Sequence, residues 1–138
     1  MAKTMNDKFE TACKIPKRKS ERKRPKRIAI IEDSDDDFLM FKLFFHIDNV
    51  IIDRYKNADS LPYKFALNKP DLVIADYYLS VPIKGDEIIK LCDKLRIPST
   101  LLTGYEGDIK GVSKDRIVMK TGDAVCFNIL QAWAVRYV

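Results

Sequence analysis

The chain contains a single histidine, His46, among 138 residues. Multi-histidine metal centres are thereby excluded, and Ser-His-Asp or Cys-His chemistry would rest on one residue near the end of an apolar helix-like stretch, where a structural role is expected. Most hydrolase readings fall with it. Cysteine is scarce too: Cys13, Cys92 and Cys126 stand far apart with no C-x-x-C pair. That spacing argues against a zinc site and against a secreted disulfide framework, and a reducing, cytoplasmic setting fits it best. Cys92 and Cys126 are expected as small core or helix-face residues. No apolar run reaches the length of a signal peptide or a membrane span, because each is short and ended by charge, so no membrane insertion is expected. No internal repeat is evident.

Charge is plentiful but uneven. The formal net charge is +5, yet residues 1 to 27 hold eleven Lys or Arg against three acids, which leaves the remainder mildly acidic. The run KRKSERKRPKR, with Pro16 before it and Pro25 within it, marks residues 1 to 26 as a flexible basic arm, with a short helical turn near Met5 to Cys13. Two readings of the arm stand side by side. It is a solvated tail, or its residues 14 to 27 contact a nucleic-acid backbone or an acidic partner. The run also matches a nuclear-localisation pattern of low specificity. The rest of the chain, residues 27 to 138, suffices for one compact domain.

From Ile28 onward, short β-branched runs alternate with helix-length segments, the pattern of βα units around a mainly parallel sheet. Strands are predicted at Arg27 to Glu32, Val50 to Tyr55, Leu72 to Ala75, Thr100 to Thr103 and Arg116 to Met119. They read as continuous apolar runs, as strands covered on both faces do. Helices are predicted at Asp35 to Ile47, Ser60 to Asn68, Asp86 to Leu95 and Asp123 to Tyr137, each preceded by start chemistry. The segment GYEGDIKGVSKD, residues 104 to 115, must join strands four and five with two internal glycines, so the helix expected there is short or degenerate.

In an open parallel sheet, functional residues collect at the carboxyl ends of the strands. The first strand ends in RIAIIEDSDDD, where five of the six residues from Glu32 to Asp37 are carboxylates. Such an end is either a solvated turn or a place for a cation. The other ends supply Asp76, Thr103 and Lys120. Two carboxylates ~5 Å apart repel by roughly 3 kcal/mol at an effective dielectric near 20, so several facing one cleft favour a hard divalent ion, with Mg2+ the natural occupant. Asp35, Asp36 and Asp37 are better placed to favour the positive end of the first helix than to touch a metal.

These residues carry a resemblance. The acidic pair of AIIEDS, the aspartate of DLVIADYYL, the threonine of LLTGY and the lysine of IVMKTGD make residues 27 to 138 resemble a response-regulator receiver domain, the phosphoacceptor module of two-component signalling. The resemblance implies a flavodoxin-like doubly wound α/β fold with strand order 2-1-3-4-5. It implies that Asp33 and Asp76 bind Mg2+ with the backbone carbonyl of Tyr78, while Glu32 acts through bound water. Asp76 would take a phosphoryl group from a histidine kinase or histidine phosphotransfer protein, Lys120 would neutralise charge, and Thr103 would report the modification. The expectation is a stand-alone phosphoacceptor that supports its own phosphorylation and dephosphorylation and signals through altered protein contacts, rather than an enzyme. Rival readings are a non-phosphorylated pseudo-receiver acting as a constitutive interaction module, and a nucleic-acid-binding adaptor working through the arm.

The sequence also departs from the receiver pattern. Thr121 follows Lys120 where proline is usual, Ile117 stands where an aromatic switch residue is usual, and Thr103 and Lys120 are only seventeen positions apart. A remodelled output surface is expected. Tyr78 and Tyr105, each two residues beyond a site residue, would shield an acyl phosphate from water. The helix containing FLMFKLFFHI and the last helix are apolar around more of their circumference than a surface helix requires. The excess could serve a phosphotransfer helix or a homodimer contact.

Overall fold

The computed structural model describes residues 25 to 79, 84 to 104, 107, 109 to 120 and 125 to 138. The basic arm therefore lies almost wholly outside the described residues, as do Tyr105 and Thr121. The elements run β1 (Lys26–Ile31), α1 (Asp35–Phe44), β2 (Val50–Tyr55), α2 (Leu61–Leu67), β3 (Leu72–Asp76), α3 (Gly85–Leu95), β4 (Ser99–Thr103), β5 (Ile117–Met119) and α4 (Val125–Tyr137). All neighbouring strands pair in parallel, in the order β2-β1-β3-β4-β5.

The strand residues divide by parity. Ala29, Ile31, Val73, Ala75 and Leu101 pack with Leu61 and Phe65 of α2 and Ile88, Ile89 and Cys92 of α3. Ile28, Ile30, Leu72, Ile74, Leu102 and Val118 pack with Phe41 of α1 and Cys126, Phe127, Leu130 and Ala134 of α4. Side chains of a strand point alternately to opposite faces, so each apolar run supplies both layers at once. Helices thus cover the sheet on both sides, which is the flavodoxin-like, doubly wound arrangement expected from the sequence.

Several boundaries move for local reasons. Ser34 caps α1, its hydroxyl oxygen accepting from the Asp37 amide, and the helix ends at Phe44 because Phe45 turns to extended backbone. That is three residues short of the predicted end at Ile47. α3 stops where Arg96 adopts a left-handed conformation. Between β4 and β5 the described residues form turns and a single 3-10 turn, Lys114–Arg116, with no α-helix among them. Arg116 anchors this connection: its guanidinium donates to both carboxylate oxygens of Asp93 at 3.0 and 2.9 Å and to the Ser99 hydroxyl at 2.6 Å. The Arg116 carbonyl accepts from the Thr100 hydroxyl at 2.8 Å.

Candidate phosphoacceptor site

Strand parity assembles the site. Glu32 continues the even-numbered side of β1, Asp76 ends the same side of β3, and Lys120 follows Val118 beyond β5. All three belong to the face covered by α1 and α4. The Lys120 amide extends the β-ladder by donating to the Thr103 carbonyl at 2.8 Å, and its ammonium reaches inward to Asp76 Oδ2 at 3.3 Å and Glu32 Oε1 at 3.4 Å. Glu32 and Asp76 are buried, Asp33 is half-buried, and each offers an oxygen within 4.8 Å of the others'. Thr103 is fully buried at the end of β4, one residue beyond Leu102, which pairs with Asp76 across the ladder. The Tyr78 amide donates to Asp76 Oδ1 at 3.4 Å, which places this residue's backbone beside the aspartate, while its ring is exposed.

Burial raises the pKa of Asp76, with Lys120 opposing the rise. Burial likewise pushes Glu32 up to about 7, again against the pull of Lys120 and with the Asp76 charge adding to the rise. Burial disfavours charge on Lys120, but the bond to Asp37 and the charges of Glu32 and Asp76 outweigh it and hold the ammonium above its usual range. The pocket therefore carries more carboxylate than one ammonium balances.

The donor set fits magnesium. It is made of oxygens alone, which suits a hard ion, and the three carboxylates lie close enough together that Asp33 and Asp76 would hold one ion directly and Glu32 through bound water. The neighbouring helix comes close enough to leave no room for a side chain. A Cβ on Gly85 would lie 2.2 Å from the Asp76 carbonyl oxygen.

The triplet of aspartates opening α1 is not only a helix start. Asp37 Oδ2 lies 2.9 Å from Lys120 Nζ, nearer than either buried carboxylate. From the sequence, Asp37 is expected at the helix terminus. Its spacing held a clue: Asp37 is four residues before Phe41, the buried residue of α1, so both face the same side of the sheet. Asp35 has a different partner set, pairing with Arg54 at 2.7 Å and Lys56 at 3.2 Å. Ile117 is half-buried against the opposite layer.

The architecture and the placement of these residues define the class: the chain has the fold of response-regulator receiver domains. A signal receiver domain of an HD domain-containing protein from Pseudomonas fluorescens Pf-5 superposes with a TM-score of 0.68 at 17% identity, covering 83% of this chain and 94% of that one. The response regulator TrrA of Thermotoga maritima, solved in complex with Mg2+-BeF, matches at 0.64 and 23% identity over 82% and 99%. A receiver domain from Methanospirillum hungatei JF-1 matches at 0.61 and 18% over 82% and 94%. No protein-family profile and no curated protein matches the sequence.

Proposed function

We propose that this chain is a receiver that accepts a phosphoryl group on Asp76. The observation that carries the reading is the meeting of Asp76 and Lys120 at 3.3 Å in a pocket shared with Glu32 and Asp33. A carboxylate oxygen of Asp76 would attack the phosphorus of a phosphohistidine on a kinase or phosphotransfer protein, the P–N bond would break with its electron pair passing to the ring nitrogen, and the imidazole would leave neutral, keeping the proton already on its other nitrogen. Phosphoryl transfer of this kind needs positioning and charge neutralisation more than a separate base. Lys120 supplies one positive charge at the acceptor. Glu32, Asp33 and Asp76, with the Tyr78 carbonyl, would hold Mg2+, which when bound supplies further neutralisation of phosphoryl oxygens. The complex of the Thermotoga protein with Mg2+-BeF supports this choice of ion. Thr103, at the end of β4, would place its hydroxyl on a phosphoryl oxygen and so register the modification.

The test is incubation with a small acyl-phosphate donor and magnesium, followed by mass spectrometry. A phosphoryl adduct that disappears with chelator and in Asp76→Asn is the expected result. An unmodified wild-type protein would favour the constitutive interaction module instead.

A further inference from the structure

We propose that Asp37 is a positioning residue for Lys120, and that through it the state of Asp76 is communicated to helix α1. This inference rests on the phosphoacceptor reading for its trigger. The geometry comes from one residue bonded in two directions. The Asp37 amide donates to the Ser34 hydroxyl at 3.1 Å, which closes the first turn of α1. Its carboxylate holds Lys120 Nζ at 2.9 Å, on the far side of the sheet in sequence but directly across the pocket.

Lys120 is divided among three carboxylates, and the closest is the one outside the buried acidic group. A phosphoryl group on Asp76 would bring additional negative oxygens to the ammonium's inner side. Coulomb attraction grows with charge and falls with distance, so Lys120 would be drawn toward Asp76 and away from Asp37. The first turn of α1 would then lose its tie to the end of β5.

α1 is built to respond to such a loss. Phe41 is its only buried side chain, while Leu39, Met40, Leu43 and Phe44 are exposed. A helix with few buried contacts has little local stability to resist a change at its end. The alternative route, an aromatic side chain moving beside β5, is closed by Ile117, and no α-helix is described between β4 and β5.

Amide NMR of the full chain, with acetyl phosphate and magnesium as the probe, tests the link. In the wild type, phosphorylation should shift the amides of Phe38 to Phe44. In unmodified Asp37→Asn these resonances should already lie toward the phosphorylated position, the further shift on phosphorylation should be lost, and Asp37→Glu, which keeps the charge, should restore it. A shift in Asp37→Asn equal to that of the wild type overturns the inference. If mass spectrometry finds no phosphoryl group on the wild type, the phosphoacceptor reading fails, and the tie is judged in the unmodified protein alone. There Asp37→Asn and Lys120→Met should displace the same α1 amides. Displacement by only one of them refutes it.

Discussion

Gly85 and Asp76 are in van der Waals conflict for any residue larger than glycine. A Cβ at position 85 would meet the Asp76 carbonyl oxygen at 2.2 Å, its carbonyl carbon at 2.8 Å and Leu101 Cδ1 at 2.7 Å. Two of the three obstacles are backbone and cannot rotate away. Alanine would add roughly 1 kcal/mol of helix propensity at the start of α3, but overpacking against rigid atoms costs about 1–3 kcal/mol or more. Gly85→Ala should lower the denaturant midpoint and displace the end of β3. A stability equal to wild type in urea unfolding would show that the approach is looser than described.

Glu32 contributes to the pH dependence of the metal-free fold. Burial pushes its carboxyl up to about 7 in the folded chain, against an ordinary value of 4.5. Folding therefore takes up a proton across that window, and its stabilisation, complete below pH 4.5, is lost as pH rises through about 7. Asp76 is shifted in the same direction. Lys120, raised above its ordinary value, stays charged throughout and does not contribute to the slope. With chelator present, the wild type should lose on the order of 3 kcal/mol between pH 5 and pH 8 from this source. Glu32→Gln should flatten the profile, and parallel curves for the two proteins would exclude Glu32 as its origin.

Most of the fold was legible because parallel strands buried on both faces leave continuous apolar runs, as IAII and LVIA do, and because strand ends concentrate chemistry. Glu32, Asp33, Asp76 and Lys120 could be placed on one edge from strand ends alone. What escaped was side-chain reach. Nothing in the one-dimensional pattern of EDSDDD separates Asp35, which turns to Arg54 on β2, from Asp37, which turns to Lys120. The difference arises from two residues of helical rotation, about 200°. Arg116 escaped for a related reason: it lay at the predicted start of strand five, whereas it forms the 3-10 turn whose side chain fastens the shortened connection to Asp93 and Ser99.

Lys120 places one ammonium beside two buried carboxylates, Glu32 at 3.4 Å and Asp76 at 3.3 Å. Replacing it by methionine keeps much of the volume and leaves Glu32 and Asp76 facing each other without the ammonium. Breaking a buried ion pair costs about 3–5 kcal/mol, and the partial exposure of Lys120 places this case at or below the lower end. Lys120→Met should therefore melt well below the wild type in chelator at pH 8. Magnesium, if held by the same carboxylates, should raise its melting temperature by more than it raises that of the wild type. Equal shifts would separate the lysine from the proposed ion site.

Arg116 fastens the connection between β4 and β5. Its two bonds to Asp93 and two to Ser99, one to the hydroxyl and one to the carbonyl, tie the 3-10 turn to α3 and β4. A bidentate arginine–carboxylate pair is stronger than an ordinary single-contact surface ion pair, although Asp93 is exposed. Arg116→Ala should cost about 1–3 kcal/mol, and hydrogen exchange should accelerate first at residues 109 to 119, whose anchoring depends on it. Uniform acceleration across the domain would mean that the connection is fastened elsewhere.

Tyr78 bears on how long a phosphoryl group on Asp76 would survive. Its ring stacks edge-on against Tyr77, with centroids 4.9 Å apart, and the Lys84 ammonium lies 5.7 Å from its centroid. The ring is exposed, but its backbone amide donates to the Asp76 carboxylate, so the side chain is tethered two residues from Asp76. A bulky ring held there narrows the approach of an in-line water to the acyl phosphate. Once the protein is phosphorylated and the donor removed, Tyr78→Ala should shorten the lifetime of the adduct by about tenfold, a barrier change near 1.4 kcal/mol. A wild-type lifetime of seconds, or an unchanged lifetime in the variant, would remove Tyr78 from the control of dephosphorylation.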